Sequence, residues 1–276
     1  MEWIKEGITL ADCQKAGPLD LIDTRILLMH ALGLSRIQLI TQSDMQLTAA
    51  QAQQVGDLLQ RRYDGEPIAY LIGEREFFGL PFHITADVLI PRPDTELLVE
   101  LAIQHTPQNS RVLDMGTGSG AIAIAIAHQR RDTHVSATDI SAAAVAVAQK
   151  NADRNVPDAN MHICESDWYS ALAGQHFHTI VANPPYIQKD DHHLSQGDLR
   201  FEPTVALTDH ADGLTNYRHI IKNAAEHLYP QGWLLMEHGY NQAQAVRDLL
   251  TQHGFIEVQS WLDLSGIDRV SGGRLK

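Results

Sequence analysis

Apolar and polar positions follow three successive patterns along the chain. Up to about residue 72, Leu21, Ile22, Ile26, Leu27, Leu28 and Leu32 set a helical period, and the helices are broken at Gly17-Pro18, Gly33 and Thr48. From Glu76 to Ile90 the pattern shifts to Phe77-Phe78-Gly79-Leu80-Pro81-Phe82-His83-Ile84, which predicts a short hairpin turning at Gly79 to Pro81. After residue 91, strand-like and helix-like segments alternate, the pattern of a parallel sheet wrapped by helices. Strands are expected near 111–115, 134–138, 160–164, 178–182, 232–237, 255–262 and 268–275. Ala121 to Ala127 alternates Ala and Ile with a strand's period, yet its alanines and its place after a glycine-rich loop predict a buried helix. Ala142 to Ala148 predicts a helix packed closely on the sheet. The expectation is an α/β chain in three parts: a helical part at 1–75, a hairpin linker at 76–90 and an α/β domain at 91–276.

Chemistry enters at the ends of the predicted strands. Asn183-Pro184-Pro185-Tyr186 follows the apolar Thr179-Ile180-Val181-Ala182. Each proline fixes its own φ and disfavours helix at the residue before it, so Asn183 and Pro184 are held extended. An Asn amide oxygen and a main-chain carbonyl displayed there can take both hydrogens of an –NH2 group, while the Tyr ring packs on its flat face. A plain strand-to-loop turn also uses such residues.

Upstream, Asp114-Met115-Gly116-Thr117-Gly118-Ser119-Gly120 lies between the strand-like Arg111-Val112-Leu113 and the predicted helix. Alternate glycines let the chain turn sharply and a ligand lie against backbone N–H groups at a helix start. Gly116, Gly118 and Ala121 also fit a dinucleotide fingerprint, so the loop alone does not separate a nicotinamide cofactor from S-adenosylmethionine. Asp139 ends the next strand, placed either to accept ribose hydroxyls or to cap a helix beginning near Ser141. In open sheets of this kind ligands sit at the carboxyl ends of strands, and Gly116, Asp139, Asp167 and Asn183 all follow such ends.

Composition narrows the classes. A chain of 276 residues, 44% hydrophobic, buries a core without staples. The two cysteines, Cys13 and Cys164, show no metal or redox spacing and fit reduced thiols in the cytoplasm. The opening has acids where a secretory signal needs basic then apolar residues, and no run approaches the ~20 apolar residues of a membrane span. With 34 acids against 21 Lys and Arg, the net charge of −13 argues against stable nucleic-acid binding. Arg61-Arg62 and Arg130-Arg131 are expected as solvated helix faces. None of the 15 histidines has the spacing of a strong zinc motif, so no metal is expected, and His192-His193 is taken as loop surface.

The combination of the glycine-rich loop with Asn-Pro-Pro-Tyr resembles class I S-adenosylmethionine-dependent methyltransferases that act on a planar nitrogen. Ile90-Pro91-Arg92-Pro93-Asp94-Thr95-Glu96 and Arg200-Phe201-Glu202-Pro203, followed by Ala206-Leu207 and Asp212-Gly213-Leu214, further resemble the protein-(glutamine-N5) methyltransferases of peptide chain release factors, over nearly the whole chain. That resemblance implies a seven-stranded Rossmann-like methyltransferase sheet with an N-terminal helical bundle that grips substrate. It also implies methyl transfer from S-adenosyl-L-methionine to the glutamine of a Gly-Gly-Gln motif, with class I peptide chain release factors as partners in translation termination. On this reading Gly116, Thr117, Gly118, Ser119 and Gly120 cradle the methionine portion, Asp139 the ribose, and Asp167 with Trp168 the adenine; a helix cap is the alternative for Asp167. Asn183 and the Pro184 carbonyl accept the two amide hydrogens at the cofactor's edge, with Pro185 completing the corner and Tyr186 on the amide plane. Rival readings are an adenine-N6 methyltransferase acting on a flipped base, a nicotinamide-dependent oxidoreductase and a non-catalytic binding module.

Overall fold

The computed structural model describes residues 3–276. By contacts the chain forms two compact units, one ending at Glu74 and the other spanning Arg75–Lys276. The first contains α1 (Leu10–Cys13), α2 (Leu21–Leu32), α3 (Arg36–Thr41), α4 (Ala49–Tyr63) and α5 (Ile68–Ile72). Local chemistry sets the helix ends. The Asp20 carboxylate accepts from the Asp23 N–H at 2.8 Å to start α2, and Gly33, at φ 65°, closes it. Reciprocal capping boxes, Ser35 with Gln38 and Thr48 with Gln51, start α3 and α4. Leu10, Cys13, Leu27, Leu28, Leu39, Leu47, Val55 and Leu59 form the core of this unit. Leu21 and Ile22 belong to the helical period but face out, at 44% and 71% exposure.

The hairpin consists of β1 (Glu74–Phe77) and β2 (Leu80–His83). Its turn is Phe78-Gly79, both at positive φ (52° and 77°), the twist that suits a two-residue hairpin, so Leu80 and Pro81 lie in the second strand rather than in the turn. Expected as a linker, it is fastened within the larger unit. The His83 N–H donates to Asn151 Oδ1 at 2.7 Å, and the Asn155 side-chain amide donates to the Pro81 carbonyl at 3.0 Å.

The remaining elements are α6 (Glu96–His105), β3 (Arg111–Met115), α7 (Ala121–Gln129), β4 (His134–Asp139), α8 (Ala142–Asn155), β5 (Met161–Glu165), β6 (Phe177–Ala182), α9 (Thr204–Leu207), α10 (Thr215–Ala224), β7 (Leu228–Glu237), α11 (Ala243–Gln252), β8 (Ile256–Leu262) and β9 (Asp268–Arg274). They build one seven-stranded sheet of order β5-β4-β3-β6-β7-β9-β8. The first five strands pair in parallel, whereas β9 runs antiparallel between β7 and β8. The short Asp263–Ile267 connection explains this, because parallel neighbours need a long crossover. The Ala/Ile run is indeed a helix, with Ala121 to Ala127 all buried. Among the described residues no helix is long and apolar enough to cross a membrane.

Candidate functional site

The sheet order reverses between β3 and β6, and there the parallel register sets Met115 opposite Ala182. Gly116 and Asn183, the next residues, therefore leave the sheet side by side at the topological switch point, where open α/β sheets bind ligands. Met115 also pairs with Thr138, and Asp139 with Glu165, which brings the Asp139 and Ser166-Asp167-Trp168 segments to the same edge.

The loop after β3 turns through positive φ at Gly116 (70°), Gly118 (55°) and Gly120 (83°). At Gly120 the constraint is also steric, since a Cβ would stand 2.8 Å from Ile124 Cδ1 and 3.3 Å from the Ala148 backbone, where α7 and α8 meet. The Asp139 carboxylate holds the loop. Its Oδ2 accepts from the Gly118 N–H at 2.8 Å and its Oδ1 from the Ser141 N–H at 2.9 Å, and the Ile140 N–H also favours its charged form. The cap of α8 is Ser141 itself, whose Oγ accepts from the Ala144 N–H at 3.3 Å. Beneath lies Asp114, fully buried: Oδ2 accepts from the Thr117 hydroxyl at 2.6 Å, Oδ1 is buried without a partner, and burial pushes its pKa up to about 7. Burial also raises the pKa of Asp139.

After β5 the chain makes a turn rather than a helix, so Asp167 has no helix to cap. Trp168 sits in the left-handed region (φ 48°), its carbonyl bonded to the Ser166 hydroxyl at 2.9 Å. This unusual conformation places the indole 3.9 Å from where a Cβ on Gly116 would be.

Asn183 is half-buried and donates from Nδ2 to Thr95 Oγ1 at 3.3 Å. The corner behind it is clamped. The Asn216 side-chain amide donates to the Pro185 carbonyl at 2.8 Å, and Gln242 Nε2 donates to the Tyr186 carbonyl at 3.0 Å. The two stretches that suggested the family likeness meet here too, because Glu202 is buried, accepts from the Ile90 N–H at 3.1 Å and pairs with Arg92.

A cavity of about 310 Å³ occupies this edge, near the lower end of the ~300–1,000 Å³ usual for ligand sites. Of the residues singled out from sequence, Gly116, Gly118, Asp139, Asp167, Trp168, Asn183 and Pro185 line it; Thr117, Ser119, Gly120, Pro184 and Tyr186 do not. Thr117, Ser119, Gly120 and Pro184 are buried behind the lining. The Tyr186 ring packs beside Gly239, and its hydroxyl, pushed up in pKa chiefly by burial, lies in the field of Glu237, Arg269, Arg92 and Asp94. Leu89, Ile140, Val205, Thr208, Asp209 and Asn216 line the cavity without having been foreseen. Ile140 carried one readable signal, an isoleucine directly after the strand-ending acid; at 64% exposed it is an apolar face open to the cavity.

His192 and His193 are exposed, as expected, but they open a short 3-10 helix, His192–Ser195, rather than lying in a loop. With Asp191 their ligand atoms lie within 4.8 Å of one another, the His193 ring bonding the Asp191 carboxylate at 2.6 Å.

A family model described as methyltransferase small domain matches residues 93–199, and one described as PrmC N-terminal domain matches residues 11–73. A release factor glutamine methyltransferase of Burkholderia pseudomallei (strain K96243) is 53% identical over 274 residues, covering 97% of this chain and 96% of that protein. Its counterpart of the same name in Escherichia coli (strain K12) is 45% identical over 273 residues, covering 99% and 97%. A crystal structure of a methyltransferase from Pyrococcus furiosus shares the fold, with a TM-score of 0.56 at 16% identity over 79% of this chain and 98% of that one. The chain belongs to the release factor glutamine methyltransferase family.

Proposed function

We propose that this protein transfers a methyl group from S-adenosylmethionine to the side-chain amide nitrogen (N5) of the Gly-Gly-Gln glutamine of class I peptide chain release factors, in the cytoplasm. The observation that carries the reading is that Asn183 lines the same cavity as Gly116, Gly118, Asp139 and Trp168. The cavity suits a nucleoside bearing a charged amino-acid arm: glycines without Cβ atoms for the arm, the Asp139 carboxylate for the diol, and apolar Ile140 and Trp168 for the base. When bound, S-adenosylmethionine supplies an activated methyl on a sulfonium.

The acceptor needs orientation, because an amide lone pair is delocalised into its carbonyl. Asn183 Oδ1 accepts one amide hydrogen and the carbonyl of Pro184, whose ring is buried just behind the lining, the other, aiming the lone pair; aligned reactants of this kind gain about 7–11 kcal/mol. As the nitrogen becomes positive both acceptors bind it more strongly, which stabilises the transition state over the ground state. No strong base is needed, since the methylated nitrogen sheds its proton readily. Tyr186, behind the corner, stiffens it. The helical unit docks the release factor, a role supported by Ile22, Ile37 and Ile40, each at least 65% exposed.

Incubating the protein with labelled cofactor and release factor, then mapping by mass spectrometry, should place one methyl on one glutamine. Label on DNA or RNA in a parallel tube, with none on release factor, would favour the nucleic-acid reading.

A further inference from the structure

A buried acid stands beside Asn183 on the neighbouring strand. β6 and β7 run parallel with Ala182 opposite Met236, so the next residues, Asn183 and Glu237, are adjacent at the strand ends. Glu237 is 2% exposed, and its Oε2 is buried without a hydrogen-bond partner. The Asn183 amino group donates to Thr95 Oγ1 at 3.3 Å, on the side of Glu237, and Thr95 and Asn183 both lie close enough to Glu237 to favour its charged form. A carboxamide has a donor end and an acceptor end of nearly equal size, so packing does not choose between them. A carboxylate does choose, because it can only accept.

We propose that Glu237 is a positioning residue that keeps the Asn183 amino group turned inward and so presents Oδ1 to the cleft. This rests on the function proposed above and names the group that makes its acceptor competent. Protonated, Glu237 gains an O–H that donates to Oδ1; the amide then rotates and sets its own N–H bonds against those of the substrate, donor against donor. The event is one proton gained and one side-chain rotation. Burial pushes the Glu237 pKa up to about 7, which puts the change in the neutral range. The groups facing it are Asp94, before α6, which raises that value; Arg269 on β9, which lowers it; Tyr186 at the corner; and Tyr217 on α10, whose hydroxyl donates to the Glu237 carbonyl at 2.8 Å.

The test measures kcat and KM for release factor against pH in the full-length protein and in Glu237→Gln and Glu237→Asp, with cofactor affinity by calorimetry. Expected are an acid limb in the wild-type kcat, a loss of about 10²-fold and of that limb in Glu237→Gln with cofactor affinity within about threefold, and partial rescue by Asp. A Gln variant with the wild-type kcat and limb overturns the proposal. Should that variant not fold, the wild-type profile decides, and a kcat flat through the neutral range overturns it. Wild-type protein that leaves release factor unmethylated refutes instead the function on which the proposal rests.

Discussion

In the proposed function two side chains at the cavity do separable work, and substitution should separate them. Asn183→Ala removes the acceptor proposed for substrate, so kcat should fall by about 10²–10³-fold while cofactor affinity changes less than about tenfold. Single-turnover methylation and calorimetry check this, and equal loss in both would place Asn183 on the cofactor instead. Asp139→Ala removes charge-assisted bonds of about 1.5–3 kcal/mol each, so cofactor affinity should drop by at least about tenfold before kcat moves. Since Asp139 also holds Gly118, part of that loss reflects a loosened loop.

At the scale of elements, the strand ends and their loops act as a unit. Parallel register aligns Gly116 with Asn183 and Asn183 with Glu237, so the cavity is assembled by pairing that no loop determines alone. In the helical unit, α3 puts Ile37 and Ile40 on one exposed face, at 72% and 65%. If this face docks the release factor, Ile37→Ser with Ile40→Ser should raise KM for the intact factor about tenfold, leave kcat unchanged and leave KM for a short Gly-Gly-Gln peptide unchanged. Steady-state kinetics on the two substrates tests this, and equal shifts for both would remove the face from docking.

For the whole molecule, two buried acids tie stability to pH. Asp114 and Glu237 have ordinary values of 3.8 and 4.5, each raised to about 7 by burial. The folded state therefore holds protons that the unfolded chain has released, so their contribution to stability is fully present below the ordinary values and is lost as pH rises through about 7. Each group gives a slope of up to about 1.4 kcal/mol per pH unit inside that window. Asp114→Asn should flatten the fall between those limits by removing one group's share; denaturant midpoints against pH would show it, and an unchanged slope would place the charge elsewhere. Bound cofactor at about 100 times its Kd adds about 2.7 kcal/mol, read as a rise in Tm.

Local patterns carried much of this protein. The strands fall within a few residues of their expected places, because alternation, glycine turns and helix caps are short-range steric effects. The glycine loop, Asp139 and Asn183 were legible because their chemistry is displayed next to strand ends. Other features rest on contacts between residues far apart in the chain, which no spacing records. Long-range packing turned Tyr186 inward against Gly239, fastened the hairpin to α8, slotted β9 antiparallel between β7 and β8, and brought Glu202 to Arg92 and Glu237 to Asn183. Sequence alone determined which chemical groups are present and which strand ends carry them; only the tertiary structure decided which of them face the cavity, because burial and register are properties of the assembled sheet.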